Sequence, residues 1–199
     1  MIKLTACIIF YNDADLLQRS ILSCKDRGIK TIAIDGKFEG FPGDYIHSTD
    51  GSVEIAKKNA DIFIEASQLF LDDQISKRNR YIDEIKDGDY FLVLDSDEEL
   101  IGGIPDIDSL TLDQYSLALE EADRNFFSHR VRVFKKYDDL MYWGKHCYMY
   151  RENQMHPFNE YAENKSDVVS NSGEVQADML LKGCITQKRC NDFLLDTEG

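Results

Sequence analysis

The chain has 199 residues, 43% of them hydrophobic and 11% aromatic, enough to bury one substantial core, and it is read as a single domain over 1–199. Its 23 Lys and Arg stand against 37 Asp and Glu, and the formal net charge of -14 argues against a nucleic-acid binder that neutralises phosphates. No apolar run reaches the length of a membrane span, and the first residues lead into a strand pattern interrupted by Asn12 and Asp13, unlike a leader, so the expectation is no transmembrane segment and a cytoplasmic location.

Residues 4–10 read as a first buried strand, left through Tyr11-Asn12-Asp13. Asp13 is a candidate N-cap, because Leu17, Ser20, Ile21 and Cys24 then recur on one helical face, and Gly28 closes that helix. A second apolar strand over 29–34 ends on Asp35-Gly36. A loop punctuated by Gly and Pro fills 38–43, a short segment follows at 45–47, and Ser48-Thr49-Asp50-Gly51-Ser52 looks like a helix start. A third strand is expected over 61–65. The next helix, 71–85, should turn Leu71, Ile75, Ile82 and Ile85 inward, with Lys77, Arg78 and Arg80 as its basic part.

That helix delivers the chain to Tyr90-Phe91-Leu92-Val93-Leu94, an unbroken apolar run that reads as a fully buried parallel strand. Strand and helix alternate over the first hundred residues, as in a parallel α/β sheet. The strand is left through Asp95-Ser96-Asp97-Glu98-Glu99, so carboxylates stand at its carboxyl end, where open α/β sheets bind ligands at a topological switch point. In extended backbone Asp95 and Asp97 point to the same side. They could share Mg²⁺ or Mn²⁺ with phosphate oxygens and water, or they could form a solvated acidic loop.

Beyond Glu99 the pattern changes to an antiparallel succession of strands at 114–121, 130–136, 140–143 and 147–151, with Asp138-Asp139 as a turn. Residues 153–173 form a long polar loop, and 175–185 a last element whose type the pattern leaves open. The five cysteines, Cys7, Cys24, Cys147, Cys184 and Cys190, show neither a CxxC pair nor zinc spacing and are expected as small buried hydrophobes. A Cys184–Cys190 bridge would suit a hyperthermophile or its virus.

Five segments in order, Ile8-Ile9-Phe10-Tyr11-Asn12-Asp13, Ile34-Asp35, Ser48-Thr49-Asp50-Gly51-Ser52, Gln74-Ile75-Ser76-Lys77-Arg78-Asn79 and Leu94-Asp95-Ser96-Asp97, resemble the family 2 glycosyltransferases of the GT-A fold. The resemblance implies a Rossmann-like, mostly parallel sheet flanked by helices with an antiparallel C-terminal portion. It also implies a nucleotide-sugar donor bound by 1–99, an acceptor side in 100–199, and Mn²⁺ or Mg²⁺ as cofactor. It assigns Tyr11 and Asn12 to the loop around the base, Asp35 to the base, Arg78 to the neighbourhood of the phosphates, Asp95 to ribose or metal and Asp97 to metal. The acceptor would be a carbohydrate, protein or lipid hydroxyl.

The chain departs from the family where 38–47 separates Asp35 from Asp50-Gly51-Ser52, so a reshaped nucleotide pocket is expected. Trp143-Gly144-Lys145-His146 is similar to the Trp-Gly-x-acid segment of GT-A enzymes, with His146 where an acid is usual. His146 is therefore the candidate catalytic base and Glu152 the runner-up; the alternative for His146 is a histidine hydrogen-bonded within an aromatic-rich sheet. The second half is as reduced as that of small viral glycosyltransferases of this fold, which would act in the host cytoplasm. Two other readings stand beside this one. A nucleotidyltransferase would be expected to carry a Gly-rich phosphate loop with a basic residue near the amino terminus, which the sequence lacks, and a non-catalytic nucleotide-sugar or carbohydrate-binding module would need no base.

Overall fold

A computed structural model describes residues 3–71, 74–104, 106–121, 126–143, 148–151 and 175–183. Strand β1 (Leu4–Phe10) is central, flanked in parallel by β2 (Lys30–Asp35) on one side and β4 (Tyr90–Asp95) on the other. Strand β3 (Ile62–Ile64) extends the parallel part beyond β2. On the far side of β4 the sheet turns antiparallel through β7 (Phe126–Lys135) and β6 (Gln114–Glu121). Strand β10 (Val175–Gly183) then pairs parallel with β6 and antiparallel with β5 (Glu98–Gly102). The order is β3-β2-β1-β4-β7-β6-β10-β5, with β8 (Leu140–Trp143) and β9 (Tyr148–Arg151) as a separate hairpin. Four of the seven junctions in the large sheet are parallel. This is the mostly parallel α/β sheet flanked by helices, with an antiparallel C-terminal portion, that the sequence led us to expect.

Period-two alternation divides the core between the sheet's two faces. Ala6, Ile8 and Phe10 of β1 meet Leu17, Ile21 and Cys24 of α1 (Ala14–Lys25) and Ala56 of α2 (Ser52–Asn59). Cys7 and Ile9 point the other way, with Ile32, Ile34, Phe91, Val93 and Phe134, toward Tyr81 and Ile82 of α3 (Ile75–Ile82). Cys7 and Cys24 are buried free thiols, one on each face.

Three expectations change. The third helix starts at Ile75, after Gln74 in left-handed backbone (φ 80°), so Leu71 lies outside it and is 66% exposed rather than inward. Its buried face is Lys77, Arg78, Tyr81 and Ile82, spacings i, i+1, i+4 and i+5, so two of the three basic residues face the sheet. The acidic exit of β4 turns at Ser96-Asp97 and continues as β5, with Glu98 and Leu100 buried. Asp95 and Asp97 are therefore related by a turn, not by the alternation of one extended strand. The element over 175–185 is a strand, β10, ending at Gly183.

Candidate functional site

The chain runs from β1 to β2 to β3 on one side and returns to β4 on the other, which makes the carboxyl ends of β1 and β4 the switch point of the sheet. Tyr11, Asn12 and Asp13 leave β1 there, and Ser96 and Asp97 leave β4. A buried hydrogen bond joins the two loops, Ser96 Oγ donating to Asp13 Oδ2 at 2.6 Å. Asp13 stands at the N-cap position of α1, yet its side chain makes no cap bond. The first helical N–H, that of Ala14, is taken instead by Asp50 Oδ2 at 3.0 Å, while Asp13 N donates to Ser52 Oγ at 2.8 Å.

The neighbouring edge, after β2, is tied in by Ser48. Its hydroxyl donates to Asp35 Oδ1 at 2.6 Å and accepts from Asn12 N at 2.8 Å. Its N–H reaches both Asp35 oxygens, at 3.2 and 3.1 Å, and Asn12 Oδ1 accepts from Thr49 N at 2.8 Å. Asn12 adopts φ 53°, a left-handed turn that Asn tolerates better than most residues. Asp35 is 0% exposed, so its carboxylate fixes the 48–49 turn and does not present itself to a ligand in this structure. Tyr11 is buried as well, its hydroxyl donating to Tyr45 O at 2.8 Å.

Beneath this edge lies Lys77, 0% exposed. Its Nζ donates to Phe10 O at 2.7 Å and Gly36 O at 2.6 Å, joining the ends of β1 and β2, and sits 4.5 Å from the Phe38 ring centroid. Burial pulls its pKa down to about 7, with the nearby Asp35 charge pulling the other way. Gly36 is required here: at φ 138°, a Cβ would stand 2.4 Å from the Phe70 ring.

At β4 the first carboxylate of the acidic exit is gripped by two guanidinium groups. Arg78 of α3 donates to Asp95 Oδ1 at 3.0 Å, and Arg132 of β7 reaches Asp95 Oδ2 at 3.3 Å and also Glu98 Oε1. The other Glu98 oxygen accepts from Asp95 N at 2.9 Å. Arg78 is itself oriented by Gln74 Oε1 at 3.0 Å and by the Tyr81 hydroxyl at 3.4 Å. Burial alone would raise the Asp95 pKa, but Arg132 and Arg78 outweigh it and hold the carboxyl below its ordinary range. Burial and then the Asp95 charge push Glu98 up, and the same two causes in the same order push Asp97 up.

Among the described residues no cluster of three or more His, Cys, Asp or Glu side chains is gathered into a metal cage. The edge offers a pair instead. A hard cation that keeps phosphate oxygens and water needs only one or two carboxylates. Each Asp95 oxygen bound by an arginine retains a second lone pair, and of the two causes that raise Asp97, burial first and the Asp95 charge second, a divalent cation would relieve the second. Asp95 and Asp97 are the residues at this edge that could hold Mg²⁺ or Mn²⁺.

The structure thus brings Tyr11, Asn12, Asp35, Arg78, Asp95 and Asp97 to one edge. His146 and Glu152 lie outside the described residues. Arg132, Glu98, Ser48 and Lys77 were missed by the sequence reading. Arg132 reaches the site through the Phe91↔Phe134 pairing, which puts Arg132, two residues before Phe134 and on the same face, toward the carboxyl end of β4, a register the sequence pattern does not contain.

Fold and edge together define an α/β protein with a polar, acidic edge at the switch point of a mostly parallel sheet. No protein-family profile matches the chain, and no curated sequence does. Among solved structures it is similar to S. aureus TarS, with a TM-score of 0.45 and 12% identity over 61% of this chain and 22% of that one. Against S. aureus TarS 1-349 the TM-score is 0.46 and the identity 13%, over 61% of this chain and 37% of the other. The chain spans well under half the length of either, and likeness at this level adds nothing to what the site's own geometry says.

Proposed function

We propose that the protein is a metal-dependent glycosyltransferase that moves a sugar from a nucleoside-diphosphate sugar to an acceptor hydroxyl of a carbohydrate, protein or lipid, with inversion at the anomeric carbon. The observation that carries this reading is the joining of three loops into one edge at the β1/β4 switch point, by Ser96–Asp13 on one side and Asn12–Ser48–Asp35 on the other, beside the Asp95, Asp97, Arg78 and Arg132 cluster. Asp97, with the remaining lone pairs of Asp95, would hold Mn²⁺ or Mg²⁺, which supplies electrostatic neutralisation of the leaving diphosphate when bound. Arg78 and Arg132 keep Asp95 ionised and fix its orientation. Asp35 acts through Ser48, as a positioning residue for the loop that faces the nucleotide.

The acceptor hydroxyl attacks the anomeric carbon as the bond to the diphosphate oxygen breaks, and its proton passes to a base on the acceptor side. His146 is the proposed base, with Glu152 second. The chain enters residues 144–147 from Trp143, next to Tyr142, whose backbone N–H and C=O are both held by the Asn79 amide of α3 at 2.7 and 3.0 Å. That anchorage ties the hairpin to the helix that carries Arg78.

A thermal-shift panel of nucleoside diphosphates with and without Mn²⁺ tests the donor and metal parts together. At a hundredfold excess over Kd, a ligand specific to the folded state should raise Tm by about 5–10 °C. The shift should require Mn²⁺ and vanish in Asp97→Ala. An equal shift in EDTA, or an unchanged one in Asp97→Ala, contradicts the metal assignment.

A further inference from the structure

Of the three residues that the resemblance assigns to the base and its loop, Asn12 is exposed, whereas Tyr11 and Asp35 are covered. Asp35 is 0% exposed and committed to Ser48, and Tyr11 is 6% exposed, its ring edge-on to Phe41 and its hydroxyl engaged by Tyr45 O. Ser48 engages Asp35, and the 37–47 loop covers Tyr11. Among its large apolar side chains the most exposed is Tyr45, at 59%, with the His47 ring 5.8 Å away and tilted by 39°.

A solitary exposed tyrosine would need no explanation. This one differs in how firmly its backbone is held. Lys37 N donates to Ile46 O at 2.8 Å, Phe70 N to Lys37 O at 3.0 Å and Glu39 N to Phe70 O at 2.8 Å. Phe38, Phe41 and Phe70 pack beneath the loop, and Gly43 lies against the Tyr11 hydroxyl, where a Cβ would stand 2.7 Å away. Three residues past Tyr45, Ser48 turns the chain into the Asn12–Thr49 contact at the switch point. An exposed ring is thus carried on a firmly held backbone at the rim of the nucleotide edge, on the loop that packs against Tyr11.

We infer that Tyr45, flanked by His47, is the platform on which the donor's nucleobase stacks, in place of the covered Tyr11 and Asp35. This rests on the nucleotide-sugar reading above. A tyrosine ring has only two rotatable bonds to order and accepts any base through its π-face, so affinity would come from the ring and base preference from the groups around it.

The test is calorimetric titration of wild type, Tyr45→Ala and Tyr45→Phe, in Mn²⁺, with UDP, GDP, ADP and CDP, and with inorganic pyrophosphate as the base-free control. The ring is exposed and Tyr11 uses only the Tyr45 carbonyl, so Tyr45→Ala should fold, as circular dichroism will check. Tyr45→Ala should bind the preferred nucleotide roughly five- to a hundredfold more weakly, the range of one base–aromatic stack, and bind pyrophosphate as wild type does. Tyr45→Phe should match wild type. Unchanged nucleotide affinity in Tyr45→Ala overturns the platform and leaves the nucleotide-sugar reading standing; equal loss for pyrophosphate overturns it too, because the ring would then be acting on the phosphates. Absence of nucleotide binding in wild type overturns both.

Discussion

Lys77 shows how far a single residue can depart from what its type suggests. A lysine in a helix with three basic residues reads as a solvated positive charge, yet here it is fully buried and its N–H groups serve two strand-end carbonyls. A neutral amine can make both bonds, which is why a pKa of about 7 is compatible with the geometry. The sign of its pH effect follows by linkage. The folded state releases the proton near pH 7, whereas the unfolded chain holds it to about 10.4, so the unfolded state binds more protons between those values and stability rises with pH there. Urea unfolding of wild type and Lys77→Met from pH 7 to 9 should show wild type gaining about 2 kcal/mol relative to the variant. Parallel profiles would mean that Lys77 keeps its charge in the folded protein. Carboxylates at strand ends were legible because they interrupt apolar runs; the direction of a basic side chain on a short helix was not, since it depends on what the sheet offers beneath it.

At the scale of elements, the parallel strands β1, β2 and β4 were legible to within about a residue because apolar runs between turn residues have few other interpretations. Strand β5 was not, because Glu98 and Glu99 make its start look like solvent. Glu98 is buried there because Arg132 from β7 and the Asp95 N–H receive its two oxygens. Arg132 and Glu98 are 34 residues apart, a pairing that local periodicity does not contain. The loop over 37–47 is likewise an element whose order comes from partners distant in sequence, Phe70 and Tyr11. Gly43 is its most constrained position, at φ 107° against the Tyr11 hydroxyl. Gly43→Ala should lower stability by at least about 1 kcal/mol, because an L side chain is strained in that backbone and must also displace the Tyr11 hydroxyl. Urea midpoints measure this. An unchanged midpoint would show that the loop is not held as described.

In the whole molecule, one sheet carries both halves of the proposed reaction, since β4 pairs parallel with β1 on the donor side and antiparallel with β7 on the other. That junction explains why Asp95 is bound from two directions, by a helix of the first half and a strand of the second. The net charge of -14 sets a condition on the proposed function: a diphosphate would have to be brought to an acidic protein, and Arg78, Arg132 and a cation at Asp97 are the groups proposed to receive it. The proposed base is His146, and its replacement should separate chemistry from binding. His146→Ala should lower turnover by roughly two to four orders of magnitude with donor affinity intact, as read by single-turnover kinetics beside calorimetry. Full activity in that variant would move the base to Glu152. The measurement that bears most directly on the account is sugar release from a set of radiolabelled nucleoside-diphosphate sugars, to water or to added acceptor hydroxyls, by wild type and Asp97→Ala with Mn²⁺ present. The account predicts that wild type releases the sugar from one donor with inversion, and that Asp97→Ala loses this activity. Saturable donor binding with no release by wild type would contradict it and mark the protein as a binding module.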